Sequence, residues 1–187
     1  GDPGLEKDLL ARTQKEVGRI HGIIRELLDY ARPQPGRKVQ RAPQEVLQDA
    51  LDTVLPLPGF QQVRLSVQAD PDLPLVVEEE GRLHQVLLNL LLNARDALDG
   101  AGEVRLQAEL QGDGFLRFSC VDSGHGFSAA VLDQVFEPFV STKAAGKGTG
   151  LGLATCQRIV ELAGGQIQAL NRSEGGAELR FTWPAAD

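Results

Sequence analysis

The chain is poor in several residue types, and each scarcity narrows the class of protein. Among its 187 residues there are two cysteines, one tryptophan, three histidines and no methionine. Cys120 and Cys156 lie within apolar patterns, so we interpret them as buried thiols of an intracellular protein, with a redox role as the less favoured alternative. Because even an initiator methionine is missing, we expect a fragment of a longer protein.

Long apolar runs and a basic excess are also missing. No stretch of the sequence is long and apolar enough to span a membrane, and there is no signal peptide. The formal net charge is −7 and the sequence pI is about 5.0, without a local basic patch, which excludes an ordinary nucleic-acid surface. We therefore expect a cytoplasmic fragment without membrane contact, and membrane anchoring of the longer protein stays open.

A glycine-rich stretch at residues 141–154 is the most informative segment that is present. Its alternating glycines are Gly146, Gly148, Gly150 and Gly152. A helical pattern follows at once, and the free N–H groups and positive dipole at a helix N-terminus suit phosphate. Lys143 and Lys147 add positive charge. A flexible linker is disfavoured because Leu151 and Leu153 interrupt the glycines, and the spacing differs from the known dinucleotide and Walker motifs.

A predicted helix at about residues 80–98 is apolar nearly all round, which is typical of a buried helix. Its narrow polar stripe consists of Arg82, Gln85, Asn89, Asn93 and Asp96. Asn89 and Asn93 are four residues apart and would share one wall of a pocket. Neutral amides can ligate Mg²⁺ and contact phosphate without repelling it. The alternative, that both asparagines bond neighbouring loops, is equally compatible with the pattern.

A carboxylate at a strand end forms a third candidate feature. Asp122 closes a predicted strand and is followed by the spaced glycines Gly124 and Gly126. A carboxylate there can accept a hydrogen bond from the exocyclic amine of adenine, although an Asp-Ser-Gly turn is a common structural alternative. Downstream, Phe136 and Phe139 flank a proline, either to anchor a mobile lid or to join the core.

The remaining pattern predicts a long N-terminal helix and then an α+β domain. Residues 5–31 carry a seven-residue apolar repeat that requires a partner helix, and a linker follows to about Arg41. Another helix starts at Pro43. A short apolar run at 75–77 leads into the helix at 80–98. Alternating residues predict strands near 63–67, 104–110, 116–120, 167–169 and 177–183.

Four motifs occur in order along the chain: Asn89-Leu-Leu-Leu-Asn93-Ala94, Asp122-Ser-Gly124-His-Gly126, Phe136-Glu-Pro-Phe139 and Gly146-Lys-Gly148-Thr-Gly150-Leu-Gly152. Together, in this order and spacing, they resemble the N, G1, F and G2 boxes of the ATP-binding domain of bacterial sensor histidine kinases. The resemblance covers about residues 38–185. The segment Arg25–Pro33 resembles the second helix of the family's dimerisation hairpin, and the nitrogen-regulation type is the most similar subtype.

The resemblance implies a Bergerat-type two-layer α/β sandwich, with a mixed, largely antiparallel sheet covered by helices on one face. Residues 1–36 would be a partial dimerisation helix with its linker, and residues 37–187 the catalytic domain. The implied cofactors are ATP and Mg²⁺, and the implied activity is transfer of the γ-phosphoryl group to a histidine. The longer protein would form a homodimer through its helical hairpin and pass the phosphoryl group to a response-regulator receiver domain.

The resemblance also assigns roles residue by residue. Asp122 would hold the adenine amine, Asn93 would ligate Mg²⁺, and Asn89 would lie at the phosphates. Lys143 would act with the two asparagines in catalysis. The remaining expected nucleotide contacts are Asp96, Gly124, Gly126, Phe127, Lys147, Gly148, Thr149, Gly150, Leu151, Gly152 and Leu153.

Two departures from the family pattern affect these expectations. The phosphoacceptor motif is absent, because His21 is followed by Gly22 and lies on what resembles the second hairpin helix. The acceptor histidine is therefore expected outside this chain. The closing hairpin has Ala177 where the family often has a hydroxyl residue. A conformational ATPase, a serine-kinase relative and a silent nucleotide-binding module are the rival functions, and Asn89, where such ATPases carry a glutamate, argues against the first.

Overall fold

The computed structural model describes residues 37–141 and 149–186, together with Thr13 and Val17. The predicted helix at 5–31 lies outside the described residues except for Thr13 and Val17, which are both helical and exposed. Residues 142–148 of the glycine-rich stretch, including Lys143, Lys147 and Gly148, also lie outside them.

The centre of the described domain is a five-stranded sheet in the order β2-β4-β5-β7-β6. Its strands are β2 Val63–Ala69, β4 Gly102–Gly112, β5 Phe115–Asp122, β6 Ile167–Asn171 and β7 Ala177–Pro184. The β2 and β4 strands are parallel, and every other neighbouring pair is antiparallel. The expected mixed, largely antiparallel sheet is confirmed.

One face of this sheet carries the core, because its strands alternate apolar and polar residues. The three helices that cover this face are α1 Pro43–Val54, α2 Arg82–Ala97 and α4 Gly152–Leu162, while α3 Ala129–Leu132 is a single turn. Phe118 and Phe181 stack with ring centroids 5.3 Å apart, and Trp183 meets Phe181 edge-on at 6.3 Å. No helix in the described ranges is long and apolar enough to cross a membrane.

A separate two-stranded sheet pairs β1 Lys38–Arg41 with β3 Val76–Glu79 in antiparallel register. The expectation of a linker reaching Arg41 is therefore wrong over its last four residues. A mixed run such as Lys-Val-Gln-Arg shows no strand pattern alone. Its structure comes from pairing with a segment distant in the sequence, from Lys38 opposite Glu79 to Arg41 opposite Val76. The Trp183 indole N–H donates to the Val77 carbonyl at 2.9 Å and joins this small sheet to β7.

The start of α2 is fixed by the small sheet rather than by a capping side chain. Its N-cap, Gly81, offers no side-chain bond, and Glu78 instead accepts the Leu83 N–H on Oε2 at 2.8 Å. Glu78 is buried, and burial raises the pKa of its carboxyl group. Its Oε1 atom has no hydrogen-bond partner within the described part of the chain. The strand β3 thereby sets the position of the helix that carries Asn89 and Asn93.

Candidate nucleotide site

A cavity of about 190 Å³ lies between the end of β5 and the second half of α2. Its lining residues are Asn93, Asp96, Ala97, Asp122, His125, Gly126, Phe127 and Ala177. Five of these residues were predicted site residues, and the structure brings them together. Ala97, His125 and Ala177 were not among the predicted site residues, because alanines and an exposed histidine in a turn carry no chemical pattern of their own.

A larger groove of about 530 Å³ lies between β3, α4 and β7, away from this cavity. It is lined by apolar residues such as Leu162 and Trp183 and by charged residues such as Lys38. None of the predicted nucleotide residues lines the groove. The smaller cavity is therefore the candidate site, because the chemistry of its lining, rather than its size, fits a nucleotide.

Asp122 is the buried acceptor of this cavity. It is 3% exposed and lies on the core face of β5, opposite Val104. Its Oδ1 atom accepts the N–H groups of Gly124 at 2.8 Å and Ala177 at 3.2 Å. Burial raises the pKa of the Asp122 carboxyl group, and these two hydrogen bonds oppose that rise. Oδ2 accepts no hydrogen bond among the described residues, so it remains available to a donor in the cavity.

Close backbone packing explains two glycines around Asp122. A Cβ at Gly124 would lie 2.4 Å from the carbonyl oxygen of Ala97, and the His125 N–H donates to that same oxygen at 3.2 Å. A Cβ at Gly176, where φ is +84°, would lie 2.0 Å from the carbonyl oxygen of Asp122. Gly124 was expected to contact the nucleotide, and its close packing in the structure is against the end of α2.

The polar stripe of α2 divides into two environments. The Asn89 amide donates to the carbonyl oxygen of Gly152 at 3.3 Å and joins α2 to the first residue of α4. Asn93 lies one turn further on and lines the cavity, and its amide forms no hydrogen bond with any described residue. Asp96 pairs with Arg95 at 2.6 Å. The sequence allowed two interpretations of these asparagines, as a pocket wall or as residues that bond neighbouring segments. Asn89 fits the second, because it bonds Gly152, and Asn93 fits the first, because it lines the cavity.

The end of the glycine-rich stretch leads directly into α4. The Thr149 hydroxyl accepts the Leu151 N–H at 3.2 Å, and Leu151 is buried. Gly152 starts α4, and a Cβ built on it would meet nothing within 4 Å. Sterics within the described residues therefore do not require glycine at 152. Leu153, next along α4, is half-buried against the core.

The two aromatics before this stretch have different environments. Phe136 packs partly buried against the core, whereas Phe139 is 70% exposed and has a φ of +69°. The Phe139 N–H donates to the carbonyl oxygen of Gly150 at 3.0 Å. A Cβ on Gly150 would lie 2.5 Å from the Phe139 carbonyl carbon, so glycine is required at 150 by this contact. Of the two aromatics, Phe136 therefore belongs to the core and Phe139 lies at the surface.

A buried carboxylate and an asparagine of α2 thus line one cavity, and the glycine-led N-terminus of α4 is tied to the same helix through Asn89. The model of the family described as histidine kinase-, DNA gyrase B-, and HSP90-like ATPase matches residues 78–187. The chain belongs to this family. Within it, the chain is an ATP-binding domain of the sensor histidine kinase type, as its similarity to curated proteins and solved structures shows.

Among the similar curated proteins, the sensor histidine kinase ZraS of Klebsiella oxytoca is 37% identical over 170 residues, which is 91% of this chain and 36% of that protein. The signal transduction histidine-protein kinase AtoS of Escherichia coli is 31% identical over 183 residues, covering 98% of this chain and 30% of that protein. The chain therefore spans about a third of the length of these relatives.

Among solved structures, full-length ShkA in complex with AMPPNP superposes with a TM-score of 0.83 at 27% identity, covering 97% of this chain and 39% of that one. The nucleotide-free catalytic domain of the histidine kinase ThkA gives a TM-score of 0.71 at 27% identity, over 80% of this chain and 96% of that domain. The second match covers nearly the whole of that catalytic domain.

Proposed function

We propose that this chain is the catalytic part of an ATP-dependent protein-histidine kinase of two-component signalling. The observation that carries the proposal is the buried Asp122 with its Oδ2 atom available in the cavity. An ionised carboxylate at this position accepts the exocyclic amine of adenine and rejects a base that presents a carbonyl oxygen there. The base would lie between Asp122, Gly126 and Ala177, with the phosphates directed toward Asn93 and the start of α4.

Mg²⁺ is the cation that we propose for the phosphate end. The donor set fits a hard cation, because the Asn93 amide lines the cavity without a partner among the described residues and its oxygen is a suitable ligand. Asn93 would hold the ion, which would neutralise charge on the transferred phosphoryl group. Asn89, bonded to Gly152, would keep the N-terminus of α4 at the correct distance from Asn93.

Phosphoryl transfer requires mainly positioning and charge neutralisation by the protein. We propose that the backbone of Thr149, Gly150 and Gly152 contacts the phosphates, with Gly148, Lys143 and Lys147 contributing from outside the described residues. Asn89 cannot accept a proton from water, so it cannot serve as the general base of a hydrolase. This favours transfer to an acceptor side chain over efficient hydrolysis.

The acceptor and the partners lie beyond the described domain. We propose that residues 1–36 are part of a dimerisation helix and its linker, and that residues 37–187 form the catalytic domain. The acceptor histidine would belong to the preceding helix of a longer cytoplasmic or membrane-anchored homodimer. The histidine kinase ThkA, which shares this fold, has been solved in complex with the response regulator protein TrrA. A response-regulator receiver domain is the partner that we propose here.

The proposal is tested by phosphorylation in trans. This chain is mixed with γ-labelled ATP, Mg²⁺ and a longer form of the protein that keeps the preceding helix but carries Asp122→Asn. Acid-labile, base-stable label is expected on the longer chain only, because this chain supplies the ATP site and the longer chain the histidine. Release of free phosphate without labelled protein would instead support the conformational ATPase.

Acid is expected to weaken ATP binding at a pH above the usual titration range of an aspartate. Burial raises the pKa of Asp122, and only the ionised carboxylate accepts the adenine amine well. As pH falls toward that raised pKa, Asp122 becomes protonated and ATP affinity falls. Folding stability changes in the opposite sense. It rises as pH falls, because the folded state binds a proton at Asp122 more readily than the unfolded chain does.

The measurement is the dissociation constant of ATP by calorimetry from about pH 8 down to about pH 4, which reaches the ordinary aspartate pKa from above. Asp122→Asn is the control, because its amide does not titrate. Its affinity should be weaker at every pH and should lack the part of the pH dependence that Asp122 causes. Identical pH profiles for the two proteins would contradict the assignment.

A further inference from the structure

The side chain of Asn171 forms two hydrogen bonds with the backbone of a single residue across the cavity wall. The Phe127 N–H donates to Asn171 Oδ1 at 2.7 Å, and Asn171 Nδ2 donates to the Phe127 carbonyl oxygen at 2.7 Å. Exchange of both backbone groups is the pattern of a hydrogen-bonded pair in an antiparallel sheet. The Asn171 amide therefore takes the place of a neighbouring strand for Phe127.

This pair continues the sheet to the rim of the cavity. Asn171 is the last residue of the edge strand β6, where its backbone is in register with Ala177. Beyond that point the side chain holds the segment Gly126–Phe127, and both residues line the cavity. Asn171 itself does not line it. Its effect on a ligand is thus exerted through the wall that it holds.

Gly126, the residue before Phe127, also packs against the Asn171 amide. Gly126 has a φ of +70°, and a Cβ on it would lie 2.8 Å from Asn171 Oδ1. The glycine lets the wall approach the amide closely enough for both bonds. A glycine before Phe127 and an asparagine at 171 therefore form one steric and hydrogen-bonded unit.

Arg172, the next residue, bonds backbone carbonyl groups on the Asp122 side of the cavity. Its backbone N–H donates to the Gly176 carbonyl at 3.0 Å, and its guanidinium donates to the Asp122 carbonyl at 3.4 Å. Asn171 and Arg172 are consecutive, so the end of β6 holds Phe127 on one side and the backbone of Asp122 on the other. The distance between these two walls decides how a flat base fits against the Asp122 carboxylate.

We propose that Asn171 is a positioning residue that sets the width of the base pocket and so contributes to selection of adenine. The inference rests on the proposed nucleotide function. Asn171 is exposed and outside the hydrophobic core, so its two hydrogen bonds contribute little to the free energy of unfolding. Their main effect is on the position of the Gly126–Phe127 wall. A structural tie alone would leave the affinity of the folded domain for nucleotides unchanged.

The test compares Asn171→Ala with Gln168→Ala in this chain. Gln168 is an exposed amide on the same strand that bonds Arg180 at 3.1 Å and does not line the cavity. Dissociation constants for ATP and GTP are measured by competition with a fluorescent ATP analogue, well below the unfolding temperature. Amide exchange of Phe127 is followed by NMR. Asn171→Asp, which keeps the acceptor and loses the donor, is a second variant if the alanine protein does not fold.

Asn171→Ala is expected to weaken ATP binding about five- to tenfold, which corresponds to loss of one or two modest hydrogen bonds. GTP binding should change less, so the ratio of the two affinities should fall, and the Phe127 amide should exchange faster. Gln168→Ala should retain the original values. Asn171→Asp is expected to weaken ATP binding at least as much as Asn171→Ala, because its second carboxylate oxygen faces the Phe127 carbonyl oxygen, which now accepts from Asn171 Nδ2 at 2.7 Å.

Two outcomes overturn the inference, and a third overturns its premise as well. Unchanged ATP affinity and selectivity in Asn171→Ala would show that the bonds are only structural. An equal loss in Gln168→Ala would show that the effect is not specific to the wall. If Asp122→Asn also binds ATP like the original protein, the adenine assignment itself fails. Weak binding by Asp122→Asn with unchanged binding by Asn171→Ala leaves the proposed function standing and removes only this inference.

Discussion

Asp122→Asn is expected to lower the affinity for ATP about 10- to 100-fold while the fold stays intact, since a hydrogen bond to a charged group contributes about 1.5–3 kcal/mol. The substitution is nearly isosteric. The remaining side-chain oxygen can still accept the N–H groups of Gly124 and Ala177, which Oδ1 now accepts at 2.8 and 3.2 Å. The new amide nitrogen replaces Oδ2, the atom that is available in the cavity.

The loss arises from a mismatch of donors. In Asp122→Asn, an amide N–H₂ at the Oδ2 position faces the adenine amine, which is itself a donor. The base loses its acceptor, and both the amide and the amine are left without a partner. Because the position is buried, water cannot restore these bonds cheaply. The folded state gains slightly, since the carboxylate that burial disfavours is gone. Affinity and stability are therefore expected to change in opposite directions.

Isothermal calorimetry with ATP measures the affinity, and thermal unfolding followed by circular dichroism checks the fold. Asp113→Asn is a matched control, because Asp113 is exposed in the β4–β5 turn at a φ of +54°, a conformation that asparagine tolerates. It should bind ATP like the original protein. Retained affinity in Asp122→Asn with a matched melting temperature would mean that the base is held elsewhere.

Gly176→Ala is expected to cost about 3 kcal/mol or more in the free energy of unfolding, whereas Gly175→Ala costs about 1 kcal/mol. Both glycines have left-handed backbone, with φ of +84° and +92°, so an alanine pays a similar conformational cost at either position. Their surroundings differ. A Cβ at Gly176 would lie 2.0 Å from the Asp122 carbonyl oxygen, whereas a Cβ at Gly175 would meet nothing within 4 Å.

The neighbour of Gly176 is backbone, and it cannot rotate away as a flexible side chain could. The strand end at Asp122 has to shift, which also disturbs the carboxylate that faces the cavity. Urea denaturation of the two variants gives the free energies, and ATP calorimetry on any folded fraction gives the affinities. Equal destabilisation by the two alanines would contradict the close approach between these segments.

The sheet and its helices could be predicted from the sequence because their apolar periodicity is local. Alternation along β4, β5 and β7 and the broad apolar face of α2 require no knowledge of a partner. Asp122 could also be predicted as a site residue, because an acidic residue at the end of such a strand, followed by spaced glycines, is a local sequence pattern. The mixed sheet and the family were implied by the resemblance of the four motifs, and both are confirmed.

Features that depend on distant segments could not be predicted in the same way. Lys38–Arg41 forms a strand only because β3 lies beside it. Asn89 and Asn93 look equivalent on the helix, and only the position of Gly152 distinguishes them. Asn171 carried the least signal of all, because an asparagine before Arg-Ser-Glu-Gly-Gly is what an ordinary turn contains. Its partner Phe127 lies 44 positions away.

The parallel pairing of β2 with β4 has a consequence for how the domain assembles. The connection between these two strands contains β3 and the whole of α2. The sheet therefore cannot complete its outer edge until the helix that carries Asn89 and Asn93 has crossed over it. Loss of that helix would remove the tertiary structure together with the ligand contacts, so the capacity to bind ATP is expected to appear in the same cooperative step that completes folding.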